Sequence, residues 1–478
     1  MNSPVFAPII RLALPLAALH LGQVTLGLVD TAFVGRVGQN ELAAVGLGNA
    51  IYFTLSIFGQ GLVQGAEPFI SQATGAGDVV RAQRTLLEAR RIVLLCLLPL
   101  WLLLGAILVV LPHFNLDPEI VRETQRYVLG RAPGMPGYLL FVATQAFLQA
   151  RGKTRAIVTS IVVANLVNVP ADLLLILGDD GLAKWGLPTL GIAGLGALGA
   201  GLATSISSWV RFLWIQPAAG STWHELNAGV TLDPEERAQA QTPTWQGIRQ
   251  ILRVGAPVGA QLSVEVAIFS LVSLWMGTLG ATQLASHQVA LSLSSVPFHL
   301  TIGIGTATSV VVGRLIGAGL EQRALRAGLS GIGLGVAVMV CTGAFFLSSP
   351  ESLIRIVTDD PEVLLVASAL VRIAGLFALS DGIQAVASGA LRGAGDTKWP
   401  FFIHLVSHWC VGMPTAWLLG FHLGYGAQGL WWGLTAGLSF AAISLTARFV
   451  IRGRKGFVAL GSGDTGEKAK GVPPGRKA

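Results

Sequence analysis

The sequence contains apolar stretches of about 20 residues or longer, which recur from one end of the chain to the other. Each stretch is long enough to cross the hydrocarbon core of a lipid bilayer, which is roughly 30 Å thick. Of the 478 residues, 52% are apolar and only 12% are charged. The longest polar stretch, residues 218–250, is too short to build a hydrophobic core of its own. The sequence therefore predicts an all-α integral membrane protein without a separate soluble domain.

The apolar stretches predict twelve transmembrane helices. Placing both termini in the cytoplasm puts most of the 32 Lys and Arg residues on the cytoplasmic side, as the positive-inside rule requires. Membrane topology thus explains the net charge of +7, and we expect the lipid bilayer, but no nucleic acid, as a partner. The predicted helices span residues 8–35, 43–73, 92–112, 124–149, 156–178, 187–215, 248–278, 283–313, 327–348, 362–390, 399–420 and 425–447.

The two halves of the chain resemble each other. Residues 11–82 align with residues 253–324 without a gap, and a Gly-Ala-Gly turn recurs at 75–77 and 317–319. Internal repeats of this kind indicate a duplication. Because six crossings return the chain to its starting side, the two halves should have the same orientation and a pseudo-symmetry axis along the membrane normal. Two such lobes with a cleft between them suit an alternating-access transporter, although duplicated channels and scaffolds also exist.

The repeat divides the chain into four parts, which are an N-lobe with helices one to six, a linker, a C-lobe with helices seven to twelve, and a disordered tail. We expect the linker and the tail to be cytoplasmic. The predicted boundaries are 1–217, 218–250, 251–452 and 453–478.

Four acidic residues are predicted to lie inside transmembrane helices: Asp30, Asp172, Glu265 and Asp381. A charged group at the centre of a membrane helix costs about 2.5–3.5 kcal/mol on insertion scales, so such groups are rare without a function. Asn168 lies four residues before Asp172, which places its amide on the same helix face. Buried carboxyl groups can bind a proton, and carboxylate, amide and hydroxyl oxygens can bind a small hard cation. Either event could bias which state the lobes adopt.

Other features of the sequence indicate no further chemistry. No nucleotide-binding loop is present, so direct use of ATP is not expected, and no nucleophile, metal cluster or acid–base pair indicates an enzyme. The three cysteines lie far apart in apolar segments and imply neither a disulfide nor a metal site. Four aromatic residues could line a cleft that binds flat cations, although most aromatic residues in membranes pack or lie at interfaces: Phe33, Tyr138, Phe269 and Trp275.

Several motifs resemble those of the multidrug and toxic compound extrusion (MATE) family, over roughly residues 8–450. The motifs lie in or next to helices one, two, four, six and ten. They are Val29-Asp30-Thr31 with Gly35, Leu42-Ala43-Ala44-Val45, the stretch from Gln145 to Gly152, the stretch from Gly199 to Thr204, and the stretch from Gly389 to Asp396.

The resemblance implies twelve helices in two six-helix lobes, and export of organic cations, drugs or toxic metabolites in exchange for sodium ions or protons. It implies no other cofactor. By position, the N-lobe cation site consists of Asp30, Asn168, Asp172 and Thr204, which would be metal ligands if sodium is the coupling ion. Glu265 and Asp381 match the acids of the C-lobe in the NorM-like branch, so both sets are present.

The resemblance further implies a multi-pass protein of a bacterial inner membrane, and we expect a monomer. The chief alternative is a flippase for lipid-linked precursors, from a distantly similar group of transporters that usually has more helices and a cationic central cavity. We expect the charges at the membrane midplane of this chain to be acidic, which favours cationic cargo.

Overall fold

The computed structural model describes residues 6–114, 116–184, 186, 188–189, 191–229 and 233–460. The described residues are almost all helical. The α-helices are α1 Phe6–Val34, α2 Gln39–Gln64, α3 Glu67–Ala76, α4 Val79–Val110, α5 Pro118–Arg131, α6 Gly134–Ala150, α7 Thr154–Asp172, α8 Gly178–Lys184, α9 Ala197–Gly229, α10 Pro234–Gln241, α11 Trp245–Leu279, α12 Ala281–Gly317, α13 Glu321–Ser348, α14 Pro350–Ile354, α15 Pro361–Gly393, α16 Lys398–Leu405, α17 Met413–Trp417 and α18 Gly426–Arg454.

Ten spans of the described residues are long and apolar enough to cross a membrane. The α5–α6 segment and α9 complete the twelve crossings of the predicted fold. A short π-helical segment at Leu173–Leu177 continues α7. Two further π-helical segments lie between α16 and α17, at Val406–Gly412, and between α17 and α18, at Leu418–His422. The prediction of an all-α membrane protein with two six-helix lobes is confirmed.

Several predicted helices differ from the observed ones, and helix two is interrupted at Gly65 and Ala66, between α2 and α3. Helix three was expected from residue 92, but α4 begins at Val79 because the side chain of Asp78 accepts a hydrogen bond from the backbone N–H of Arg81 and caps the helix. Helix four is interrupted at Ala132 and Pro133, between α5 and α6. Helix six was expected from residue 187, but α9 begins only at Ala197.

Glycines with left-handed backbone conformation end equivalent helices in the two lobes. Gly77 has φ of 74° after α3, and Gly319 has φ of 73° after α12. At the next pair of equivalent turns, Gly152 and Gly395 have φ of 73° and 76°. Residues other than glycine rarely adopt this conformation, which explains why the duplicated turns have kept glycine.

The lobes contact each other on the side of the molecule that carries α10, which we name the linker side. A Cβ atom at Gly61 of α2 would lie 2.2 Å from the Cα atom of Gly259 in α11, so the two backbones touch. The amide of Gln72 in α3 donates a hydrogen bond of 3.1 Å to the carbonyl oxygen of Gly393 in α15. Close packing at glycine is typical of membrane helices. These contacts close the cleft at the linker side.

The predicted linker and tail boundaries fall inside ordered elements. Helix α9 continues past residue 217 to Gly229, and α11 begins at Trp245. The predicted disordered tail also begins with ordered residues: Phe457 is buried, and the backbone N–H of Leu460 donates a 2.7 Å hydrogen bond to Gln72 of the N-lobe. Residues 461–478 lie outside the described residues.

Candidate ion and substrate sites

The predicted acid and its partners in the N-lobe come together from three helices. Asp30 of α1 accepts a 3.1 Å hydrogen bond from the amide nitrogen of Asn168 in α7. The other carboxylate oxygen accepts a 2.6 Å hydrogen bond from the hydroxyl of Thr204 in α9. All three side chains are buried. The sequence placed these residues on separate helices, and packing of those helices brings them into one cluster.

Asp172 lies beside this cluster and has no donor of its own. It is fully buried at the end of α7, and neither carboxylate oxygen has a hydrogen-bond partner among the described residues. Its carboxyl group is close enough to Asp30 to interact with it directly. Two adjacent carboxylates cannot both stay ionised in a buried site without a counter-charge. A proton or a cation bound to the pair would relieve their repulsion, and the free oxygen of Asn168 could serve as a further ligand for a hard cation.

Glu265 of α11 lies in a second buried cluster, in the C-lobe. The amide nitrogen of Gln261, one turn earlier, lies 3.1 Å from Oε1 of Glu265. Nδ1 of His404 in α16 lies 2.8 Å from the same oxygen, which is ion-pair distance, although the alignment is not that of an ideal hydrogen bond. The carboxylate of Glu265 is thus held between a neutral amide and an imidazole.

Two further residues extend the C-lobe cluster. His408 lies one turn after His404, and it has a buried Nε2 atom without a hydrogen-bond partner in the described chain. Glu265, His404 and His408 each offer one ligand atom, and these three atoms lie within 4.8 Å of one another. Asp381 of α15 accepts a 3.3 Å hydrogen bond from Gln384 and is near enough to Glu265 for mutual repulsion.

A cavity of about 320 Å³ lies in the N-lobe and has Asp30 and Thr204 in its wall. Tyr138, one of the four predicted cleft aromatics, lines it and donates a hydrogen bond to the side-chain oxygen of Gln60. A cavity of this size is at the small end of the range for sites that bind organic ligands. Its other lining residues are Gln23, Leu26, Gly27, Thr31, Leu42, Val45, Gly46, Asn49, Tyr52, Phe53, Ser56, Tyr127, Arg131, Ser207, Ser208 and Arg211.

Two arginines in this cavity wall contradict the expectation that the midplane charges are acidic. The count of basic residues by side had assigned Arg131 to the outer side and Arg211 to the inner side of the membrane. In the structure Arg211 is only 5% exposed, and its guanidinium lies over the ring of Phe141 at 4.3 Å from the ring centroid. The guanidinium of Arg131 lies over the ring of Tyr52 at 4.9 Å. Both are therefore side chains of the cavity itself.

The other predicted cleft aromatics do not line the N-lobe cavity. Phe33 is buried in the hydrophobic core near the ends of α1, α2 and α5. Phe269 and Trp275 pack against the C-lobe core, where the ring of Trp275 meets that of Phe421 edge-on at 5.7 Å. A larger depression of about 720 Å³ lies among the first residues of α12, α15 and α18. None of the predicted acids is in its wall.

The sequence did not identify the partners of Glu265. His404 and His408 lie in the predicted helix 399–420, and no motif in the sequence links them to Glu265. His404 and Glu265 are 139 positions apart, as their numbering shows, and no local pattern joins residues at that separation. The spacing of four between His404 and His408 was a usable signal for a shared helix face.

Comparisons with known proteins agree with the twelve-helix architecture. The MatE family model matches residues 15–174 and 257–418, one match in each lobe. A probable multidrug resistance protein NorM from Pseudomonas putida is 35% identical over 454 residues, which cover 92% of this chain and 93% of that protein. A protein of the same name from Deinococcus radiodurans is 36% identical over 462 residues, with coverage of 94% and 96%.

Solved structures show the same fold. The eukaryotic MATE transporter AtDTX14 superimposes with a TM-score of 0.77 at 21% identity, covering 94% of this chain and 98% of that one. An outward-facing multidrug resistance MATE transporter of the MOP superfamily gives a TM-score of 0.79 at 19% identity, with coverage of 94% and 96%. The match in both lobes and the identity of the relatives over nearly their whole length establish that this multi-pass membrane protein is a transporter, not an enzyme, and belongs to the NorM-like part of the MATE family.

Proposed function

We propose that this protein exports drugs and other small organic compounds in exchange for a cation, by alternating access between its two lobes. The observation that carries the proposal is the Asp30–Asp172 pair, which is buried and has fewer donors than its charge requires. A buried pair of carboxyl groups responds to proton or cation binding with a change in local charge. The names of the relatives, multidrug resistance proteins, support drug-like compounds as the cargo.

The coupling follows from charge neutralisation. With no cation bound, the carboxyl groups of Asp30 and Asp172 repel each other and favour any rearrangement that separates or hydrates them. A bound proton or cation removes this repulsion and stabilises the packed arrangement of α1, α7 and α9. A ligand shifts a two-state equilibrium only through its differential affinity for the two states. The ion and the cargo are then exchanged because they favour different states of the same lobe.

Sodium and protons remain the two candidates for the coupling ion. If the ion is sodium, Asp30, Asn168, Asp172 and Thr204 are the proposed ligands, all of them oxygen donors of the kind that hard cations prefer. If the ion is a proton, the carboxyl pair shares it. Glu265 and Asp381 are proposed as a second coupling group in the C-lobe.

We place the protein in a bacterial inner membrane as a monomer, with both termini and the linker side in the cytoplasm. In this orientation the closed linker side corresponds to an outward-facing state. Organic cations are the proposed main cargo, because each lobe presents carboxyl groups. The flippase alternative would require a lipid-linked anion as cargo, and the identity to NorM proteins over nearly the whole chain argues against it.

The test is efflux of a fluorescent organic cation from proteoliposomes, with a sodium gradient and a proton gradient imposed separately. Transport driven by one gradient supports antiport and identifies the ion. If neither gradient drives transport, while a lipid-linked precursor is moved between leaflets, the proposed function is wrong. Empty liposomes and liposomes with a dissipated gradient are the controls.

A further inference from the structure

Glu265, His404 and His408 form a compact cluster in the C-lobe, which combines one carboxylate with two imidazoles. The side chains come from α11 and from the stretch where α16 passes into the π-helical segment Val406–Gly412. Both imidazoles are buried, and the side chain of Glu265 is 18% exposed. Because π-helical turns occur frequently at functional sites, the cluster combines ligand chemistry with a backbone irregularity that is typical of binding sites.

Hydrogen bonds among the described residues do not account for the two histidines. Nε2 of His408 is buried and has no hydrogen-bond partner, and Nδ1 of His404 contacts Glu265 without good alignment. The centroids of the two rings lie 5.6 Å apart, so the imidazoles are direct neighbours. A buried polar atom that lacks a partner costs about 1–3 kcal/mol. Packing alone therefore does not explain why His408 is an imidazole rather than an apolar side chain.

The spacing of the three side chains fits a divalent transition-metal ion. Nδ1 of His404 lies 2.8 Å from Oε1 of Glu265, and the ligand atoms of the three residues all lie within 4.8 Å of one another. Around a tetrahedral zinc ion, with bonds of about 2.0–2.1 Å, neighbouring ligand atoms lie about 3.3 Å apart. This separation falls between the observed values, so small side-chain rotations are enough to bring all three ligands onto one ion. The fourth position is left for water, as in zinc sites with three protein ligands.

We propose that Glu265, His404 and His408 form a binding site for a divalent transition-metal ion of the zinc type. Imidazole nitrogen favours such ions, whereas hard cations such as magnesium and calcium take oxygen ligands. Gln261 supports the site, because its amide lies 3.1 Å from Nε2 of His404 and orients the ring with Nδ1 towards Glu265. An ion bound here occupies the carboxylate that the proposed function assigns to coupling in the C-lobe, and it should therefore inhibit efflux. Binding of the ion does not depend on export.

The experiment titrates the purified, untagged full-length protein with Co²⁺, whose visible absorption reports its ligands, and measures the affinity for Zn²⁺ by calorimetry. His408→Leu removes one proposed ligand. His287→Leu is the matched control, because His287 is equally buried in the same lobe but both of its ring nitrogens have partners, Ser273 and Trp431. His408→Cys places a thiol, itself a metal ligand, at the same position. It is made in a protein whose three native cysteines are replaced by alanine.

We expect the wild type and His287→Leu to bind Zn²⁺ with similar affinity. His408→Leu should bind it about a hundredfold more weakly or worse, since loss of even an outer-shell partner costs about tenfold to a hundredfold. Co²⁺ bound to His408→Cys should show a sulfur-to-metal charge-transfer band, which decides the matter if His408→Leu fails to fold. An absent Co²⁺ spectrum in the wild type, an unchanged affinity in His408→Leu, or displacement of Co²⁺ by Mg²⁺ as readily as by Zn²⁺ would each overturn the site.

Efflux from proteoliposomes separates this inference from the proposed function. Zn²⁺ should inhibit efflux by the wild type, and it should inhibit His408→Leu much less when each protein is compared with and without the ion. Equal inhibition of both proteins would contradict inhibition through Glu265. Because Co²⁺ and Zn²⁺ binding requires no gradient, selective binding without gradient-driven efflux would contradict the export function and leave the metal site intact.

Discussion

Asp30 accepts hydrogen bonds from Asn168 and Thr204 while the carboxyl group of Asp172 lies next to it. Replacing Asp30 by Asn keeps the shape and removes the charge on which coupling depends. We expect Asp30→Asn to reduce gradient-driven efflux to the level of empty liposomes. The protein should remain folded in the membrane, because removing one of two adjacent carboxylates also removes their repulsion.

The readout for this variant is efflux together with the melting temperature in detergent. Asp359→Asn is the control, because Asp359 is an exposed carboxylate in the turn before α15, where it pairs with Arg355. Undiminished efflux by Asp30→Asn would exclude Asp30 from coupling. Loss of efflux together with loss of the melting transition would show that the substitution acts on folding instead.

A separate prediction concerns substitutions of the two C-lobe acids. Glu265→Gln and Asp381→Asn should each reduce the rate of efflux, and His404→Leu should do so indirectly, because His404 holds the carboxylate of Glu265. His404→Asn should restore part of the rate, since its amide nitrogen replaces Nδ1 of the imidazole. Rates are measured at saturating and limiting ion concentration. Wild-type rates in both acid variants would restrict coupling to the N-lobe.

Helices were the most predictable elements of this chain, and their interruptions the least. Hydropathy predicted twelve crossings, and the repeat predicted the glycine turns at Gly77 and Gly319. The break between α5 and α6 and the late start of α9 were missed, because an apolar window averages over local backbone geometry. Counting charges by side also assigned Arg131 and Arg211 to the two membrane surfaces, whereas both side chains line the cavity in the structure. The four acids were predicted from the sequence because an ionisable residue within an apolar stretch can be recognised without knowledge of its partners.

The contact between α2 and α11 allows a test at the scale of helices. A methyl group at Gly61 would meet the backbone of Gly259 at 2.2 Å, so Gly61→Ala must push the two helices apart. We expect a cost of about 1–3 kcal/mol in the state closed at the linker side, and efflux slowed about tenfold or more. Gly105→Ala is the matched control, because a Cβ atom at Gly105 in α4 meets no other atom within 4 Å. Both variants gain the same helix propensity, so a slower rate in both would show that the effect is not due to the interface.

At the scale of the whole molecule, the linker side is closed by several contacts between the lobes. The guanidinium of Arg392 in α15 lies 3.5 Å from Glu67 in α3, and that of Arg314 in α12 donates hydrogen bonds of 2.7 and 3.0 Å to the backbone at Ala150 and Gln149. Leu460 adds a contact from beyond α18 to Gln72. Alternating access requires all of these to break together, because each joins the same pair of lobes. The closed side is held by many small contacts, and the proposed alternating access would open it as a change between two packed arrangements rather than as a gradual bend.

This two-state description predicts opposite changes in accessibility at two positions. Ser71 is fully buried in α3 between the lobes on the linker side, and Thr31 is an exposed residue of the N-lobe cavity wall. In a protein without its native cysteines Cys96, Cys341 and Cys410, Ser71→Cys should resist a membrane-impermeant thiol reagent at rest and react with it from the linker side during turnover. Thr31→Cys should react from the opposite side at rest and more slowly during turnover. Labelling of oriented vesicles with and without the driving gradient measures both rates. If Ser71→Cys stays protected while the protein transports, the lobes do not separate at this interface, and movement within one lobe must open the path instead.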